Sequence, residues 1–254
     1  MRRWERRVDG LVMTVSVAVF LLFGANRASA GELIPGVQAA YKVSVKVARG
    51  TTDVNFWVFV PKSYKKKPAW PLLLFLHGAG ERGSNIELVK KWGPPRLVGK
   101  DREFPFVVVS PQCPKRAGWD PKQLKQLVEH VTKSYKIDQS RMYCTGLSMG
   151  GYGTWSMVAE YPKLFAAAIP ICGGGNPRLA SRMTRTPIWA FHGDADRVVA
   201  AKRSRVMVDA IKKAGGSAVK LTLYPGVNHN SWSRTYGNPK VYQWLLSHSL
   251  KSGK

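Results

Sequence analysis

The stretch Arg141-Met142-Tyr143-Cys144-Thr145-Gly146-Leu147-Ser148-Met149-Gly150-Gly151-Tyr152-Gly153-Thr154-Trp155 decides the architecture. Residues 142–145 form a short apolar run, and residues 149–161 carry a helical pattern. A Gly-x-Ser-x-Gly turn between a strand and a helix is the context of a nucleophile elbow, in which the serine adopts a strained backbone and its neighbours must be small. Gly146 and Gly150 leave room for that turn, and Gly151 lets helix and strand pack closely. Ser148, its Oγ projecting above the sheet edge, is the candidate nucleophile.

A serine hydroxyl attacks only when a base takes its proton. Three histidines follow Ser148. His229 lies in Pro225-Gly226-Val227-Asn228-His229-Asn230, just after an apolar segment at 219–224. Loops at sheet edges gather the catalytic groups of open α/β folds, so His229 is the candidate base. His192 ends the strand pattern at 187–191 and meets Gly193, which assigns it to shaping that turn. His248 falls in a polar C-terminal helix and is assigned to the surface. The base needs a carboxylate to hold its tautomer. His192-Gly193-Asp194-Ala195-Asp196-Arg197-Val198-Val199 offers two. Asp196, deeper in the loop, is favoured; Asp194 is placed to cap or brace the turn. Spacing alone leaves both open. The order serine, aspartate, histidine is the one that accompanies an elbow of this kind.

Main-chain donors for a developing oxyanion are expected from His77-Gly78-Ala79-Gly80, which follows the apolar run at 72–76, and from the residue after the nucleophile. They are assigned to the N–H groups of Ala79 and Met149. Trp119 and Trp232 are candidate substrate contacts, Trp232 the better placed, three residues after His229. Trp155, on the elbow helix, reads as core. Glu81 and Arg82 either touch substrate or pair with each other.

Around these motifs, residues 41–47 and 55–60 read as an antiparallel hairpin turning at 49–53. Apolar runs at 72–76, 106–109, 142–145, 165–171 and 187–191, with 219–224, predict further strands. Runs apolar on both faces belong to a parallel sheet covered by helices. Helical patterns occupy 123–135, 149–161, 200–214 and 238–249, alternating with strands as βαβ units do. Residues 176–186 are too few for a large lid.

Leu76-His77-Gly78-Ala79-Gly80-Glu81-Arg82-Gly83, the elbow, His192-Gly193-Asp194-Ala195-Asp196 and His229-Asn230-Ser231-Trp232 together resemble the secreted predicted-peptidase or phospholipase/carboxylesterase-like branch of the α/β-hydrolase superfamily. That branch is similar to polyhydroxybutyrate depolymerases, feruloyl esterases and dienelactone hydrolases. The resemblance spans about residues 43–246. It implies an α/β-hydrolase fold: a mostly parallel eight-stranded sheet with an N-terminal antiparallel hairpin, helices on both faces and no large lid. It also implies that the aspartate before Arg197-Val198-Val199, Asp196, is the triad acid.

Residues 1–30 read differently. Arg2, Arg3, Arg6 and Arg7 precede an apolar run at 11–23, and Ala28-Ser29-Ala30 offers a small-residue cleavage site. This is the layout of a secretory signal peptide. The run is short for a membrane span, which needs about 20 apolar residues; an uncleaved anchor is the alternative. The expected organisation is a signal peptide at 1–30 and a catalytic domain at 31–254, secreted or periplasmic after cleavage near Ala30. Net charge is +25. The leader holds few of those cations, so the rest is strongly basic. Such a field suits an anionic surface or polysaccharide; a solvated basic surface is the favoured reading of the scattered cations. No nucleic-acid-binding signature accompanies the charge. The three cysteines, Cys113, Cys144 and Cys172, include no C-x-x-C pair. No metal site and no cofactor are expected.

The expected chemistry is hydrolysis of a small or polymeric carboxylic ester through an acyl-enzyme. A serine peptidase with the same triad is the first alternative. A non-catalytic basic module binding anionic glycan or a cell surface is the second.

Overall fold

A computed structural model describes residues 33–99 and 104–250. The expected signal peptide lies outside the described residues. The sheet comprises β1 (Gln38–Lys46), β2 (Thr51–Phe59), β3 (Trp70–Leu76), β4 (Val107–Pro111), β5 (Ile137–Leu147), β6 (Ala167–Ile171), β7 (Ile188–Gly193) and β8 (Val219–Tyr224). The helices are α1 (Pro94–Leu97), α2 (Pro121–Ser134), α3 (Met149–Glu160), α4 (Lys202–Lys213), α5 (Trp232–Tyr236) and α6 (Pro239–Leu246). The eight strands run in the order β1-β2-β4-β3-β5-β6-β7-β8. β1 pairs with β2, and β2 with β4, antiparallel; every other pair is parallel. The mostly parallel sheet with its N-terminal hairpin is therefore present as expected.

Side chains alternate across a strand, and β3 shows what this does. Leu73 and Phe75 enter one core with Tyr143, Ile169 and Phe191, roofed by Tyr236, Val241 and Leu245 of α5 and α6. Leu72, Leu74 and Leu76 enter the other with Leu124, Leu127, Val128 and Val131 of α2. The α2 side continues under α3 and α4, where Trp155 and Val158 meet Met207 and Ile211. A central strand covered on both faces has no polar side to show, which is why it reads as a continuous apolar run.

Some boundaries differ from expectation. The hairpin turns earlier than residues 49–53: Gly50 takes φ +85° and Val47 donates to its carbonyl at 3.1 Å, so Thr51 already pairs with Lys46. β5 begins at Ile137, because its first residue pairs with Trp70 across a register shift. The last helix stops at Leu246. α5 was expected to be loop; five residues are too few to show a period. No helix among the described residues is long and apolar enough to cross a membrane.

The elbow packs backbone on backbone. A Cβ at Gly150 would stand 1.9 Å from the Leu76 carbonyl oxygen, and one at Gly146 2.3 Å from that of Gly150. Neither partner is a flexible side-chain tip. Gly150→Ala is expected to cost about 3 kcal/mol, the upper range for overpacking, and to lower Tm by about 6–12 °C. Gly118→Ala, where a Cβ meets nothing within 4 Å, is expected to shift Tm by less than about 2 °C. Calorimetry of both variants checks this pair.

Candidate active site

Ser148 sits between β5 and α3 with φ +52° and ψ −114°. A residue with a Cβ adopts positive φ at a cost of about 1–3 kcal/mol, held only where surroundings over-determine it. Here they do. Its N–H donates to the Ile171 carbonyl at 2.9 Å and lies 3.3 Å from Cys172 Sγ. Cys172 is itself buried at φ +40°. Burial pushes its thiol up to about 12, so the sulfur beneath Ser148 stays protonated.

His229 Nε2 lies 2.9 Å from Ser148 Oγ, and His229 Nδ1 2.7 Å from Asp196 Oδ2. The three side chains nominated from sequence therefore converge on one hydrogen-bonded line. Asp196 is 8% exposed. Its Oδ1 accepts the N–H groups of Val198 at 2.8 Å and Val199 at 2.9 Å. Burial raises its pKa, but the bonds from His229, Val199 and Val198 outweigh this and hold the carboxyl below its ordinary value. Asp194 takes the other role considered for it. It is exposed, and its Oδ1 accepts the Gly226 N–H at 2.7 Å, bracing the loop that carries His229. Asn228 ties the acid and base loops together, its Oδ1 accepting from Arg197 N at 3.1 Å and His229 N at 2.8 Å.

His192 does more than shape its turn. It is fully buried, with Nε2 2.8 Å from the Val199 carbonyl oxygen and 3.2 Å from Asp196 Oδ2. Its Nδ1 meets Ser204 Oγ at 2.7 Å, and that hydroxyl is 3.0 Å from the Gly173 carbonyl. Two imidazoles thus face one carboxylate oxygen. The signal was present in the spacing, since the Gly193-containing turn brings residue 196 back over residue 192. His248 packs on the last helical turn, with Nδ1 2.7 Å from the Trp244 carbonyl.

The loop after β3 is gripped from three directions. Cys113 N–H donates to His77 Nε2 at 3.0 Å, which leaves the ring proton on Nδ1 to donate to the Gly78 carbonyl at 2.6 Å. Glu81 Oε2 accepts the Gly78 N–H at 3.0 Å. Arg82 donates to the carbonyls of Ala79 and Ala117. Glu81 and Arg82 hold backbone rather than each other. In a trans peptide the N–H points opposite to the C=O. Fixing the Gly78 carbonyl on His77 therefore aims the Ala79 N–H the other way. The N–H of Met149 opens α3, where no preceding turn supplies an acceptor.

Trp119 stands edge-on to His77, centroids 4.8 Å apart, and its Nε1 donates to the His77 carbonyl at 3.2 Å. Its indole thus supports the same loop. Trp232 meets the His229 ring edge-on at 5.4 Å and Trp92 at 5.8 Å. Trp92 carries no sequence signal; it becomes visible only through this contact. Trp155 is buried in the core. All three cysteines are free and buried. No cluster of His, Cys, Asp and Glu able to hold a metal occurs among the described residues.

A family profile described as "Dienelactone hydrolase family" matches residues 36–239. Poly(3-hydroxyalkanoate) depolymerase C of Paucimonas lemoignei is 32% identical over 139 residues, covering 49% of this chain and 33% of the relative. Feruloyl esterase B of Neurospora crassa is 26% identical over 151 residues, covering 54% of this chain and 49% of the relative. The chain spans less than half the length of either curated relative. A solved structure titled as a thermostable esterase superposes with TM-score 0.72 at 36% identity, covering 82% of this chain and 62% of that one.

His77 holds its loop only as a neutral ring, because one nitrogen must accept and the other donate. Burial, above all, takes its pKa from 6.5 down to about 4. Between those values the unfolded chain binds a proton that the folded chain refuses, so stability falls as pH drops through that window. The depression corresponds to roughly 3 kcal/mol. Burial also lowers the His192 pKa, which acts with the same sign. Tm is therefore expected to decline steeply from pH 6.5 to 4, and His77→Gln to show a shallower decline from a lower starting Tm. Parallel slopes in the two proteins would clear His77 of the effect.

Proposed function

The chain belongs to the dienelactone hydrolase family, and on that premise we propose that it is a secreted serine esterase with Ser148, His229 and Asp196 as its triad. One observation carries the reading: an unbroken hydrogen-bonded line from Ser148 Oγ through His229 to Asp196, 2.9 and 2.7 Å long.

Ser148 Oγ attacks the ester carbonyl carbon while His229 Nε2 takes the hydroxyl proton. The Nδ1 proton stays between His229 and Asp196, which stabilises the imidazolium without itself becoming protonated. The carbonyl oxygen, now anionic, is received by the N–H groups of Ala79 and Met149, each worth roughly 3 kcal/mol in comparable sites. The tetrahedral intermediate collapses, His229 returns the proton to the leaving alkoxide, and an alcohol departs. Water then attacks the acyl-serine by the same route and the acid is released. Trp232, against the His229 ring, forms a wall for the entering group. Residues 1–30 are the leader and 31–254 the working domain, exported with cleavage after Ala30.

Ser148→Ala is expected to lower kcat on 4-nitrophenyl acetate by at least about 10⁴-fold and to abolish labelling by a fluorophosphonate probe. Unchanged hydrolysis in the variant removes the proposal. Faster turnover of short peptide amides than of acyl esters by the wild type reverses the choice of ester over amide.

A further inference from the structure

The chain's charge is not spread evenly around the site. Arg197 directly follows Asp196, and Lys202, Arg203 and Arg205 occupy the first turn of α4; all four are exposed. Cations there oppose the positive end of the helix dipole, so this corner concentrates positive potential. It adjoins the nucleophile. A Cβ at Gly174 would lie 3.0 Å from Arg203 Cβ and 3.2 Å from Tyr152 Cε1, so these two side chains flank one glycine. Tyr152 N–H in turn donates to the Ser148 carbonyl at 3.1 Å. Across the sheet edge, on the layer that holds α1 and α5, Lys91 and Arg96 stand 5.6 and 5.4 Å from the centroid of Trp92, next to Trp232.

The carboxylates beside Ser148 and His229 are already engaged, and α4 itself carries a single acidic residue, the exposed Asp209 one turn beyond Arg205. Asp196 binds His229, Asp194 braces Gly226, Glu81 holds Gly78 and Glu87 pairs with Lys90. None of the six cations forms an ion pair among the described residues. Two positive edges therefore border the line from Ser148 to His229, with indoles between one edge and the base.

We propose that this rim selects esters borne on a polyanionic sugar chain, such as O-acetyl groups on a polyuronate, with carboxylates of the polymer meeting the cations and sugar faces the tryptophans. The proposal rests on the esterase reading and adds its substrate class. A nucleic acid offers comparable charge but no carboxylic ester to cleave. An anionic membrane is disfavoured because the exposed large apolar side chains are few and divided: Tyr152, Val198 and Val206 lie singly among the cations of this corner, and Ile34, Val37 and Leu88 sit on other elements.

The test compares acetylated polygalacturonate, acetylated neutral mannan of equal acetyl content, and 4-nitrophenyl acetate. At about 20 mM salt, kcat/KM per acetyl group is expected to be at least about tenfold higher on the polyuronate than on the mannan. At about 0.5 M salt, where screening is within a few ångströms, the two should agree to about twofold. The double variant Arg197→Glu/Arg203→Glu is expected to lower the ratio of polyuronate to 4-nitrophenyl acetate turnover by about tenfold or more. A ratio insensitive to salt and to the double variant overturns the proposal, as does preference for the mannan. Binding of unesterified polygalacturonate to the Ser148→Ala protein separates the two readings. Salt-sensitive retention there, without any ester hydrolysis by the wild type, keeps the surface and removes the esterase. Tighter retention on anionic lipid vesicles than on polygalacturonate removes the polyuronate.

Discussion

Three stretches of backbone meet where the first turn of α3 presses against the ends of β3 and β6. Gly146, Gly150 and Gly151 are there because any side chain would stand inside van der Waals contact of a carbonyl from Leu76, Gly150 or Ile171. That contact forces the reversal from β5 into α3 into a single residue, Ser148, and leaves it at positive φ. It also brings the start of α3 against the loop from His77 to Arg82, since a Cβ at Gly150 would stand 2.8 Å from the His77 carbonyl oxygen. Strain at Ser148 and the lack of a helical acceptor for the Met149 N–H have the same origin. Neither exists without the sheet on either side.

Electrostatics at the site is arranged by burial as much as by charge. Cys172 and His77 are each held neutral by their surroundings, and burial favours the same state for Glu81. Asp196 is the exception: four N–H groups or imidazole edges surround its two oxygens, enough to keep it ionised in a place that otherwise resists charge. The stray cations lie outside this shell, on α4 and beside Trp92, where water screens them from Asp196. A basic exterior and a carboxylate-centred interior coexist because the dielectric differs between them.

Much of this was legible in the sequence where one residue type has a single structural use. Glycines around a serine between a strand and a helix have few other readings, and central strands buried on both faces announce themselves as unbroken apolar runs. Legibility fails where the decision is made by distance. Asp194 and Asp196 differ by two positions in one loop; only the fold shows that Val198 and Val199 close on the second and Gly226 on the first. His192 reads as a turn residue because its partner is reached through a bend, not along a helix. Trp92 has no motif at all, and its place beside Trp232 depends on Gly93 at φ +67°, where a Cβ would strike Phe75 at 2.4 Å. The first four residues of β5, Ile137 to Ser140, were missed because Asp138-Gln139-Ser140 is polar, and Ile137 pairs only where the sheet begins.

The three unpaired thiols have a consequence for how the domain comes into being. Each is enclosed, and burial lifts Cys113, Cys144 and Cys172 to about 11, 12 and 12. Thiolates are the species that react with oxidants and disulfides, so these sulfurs are inert once the core has closed. No covalent cross-link among the described residues ties one strand to another. The folded domain therefore stands without a disulfide, and its closed core keeps these thiols away from oxidants outside it. The vulnerable interval is the earlier one, while the chain is still open and its sulfurs are accessible.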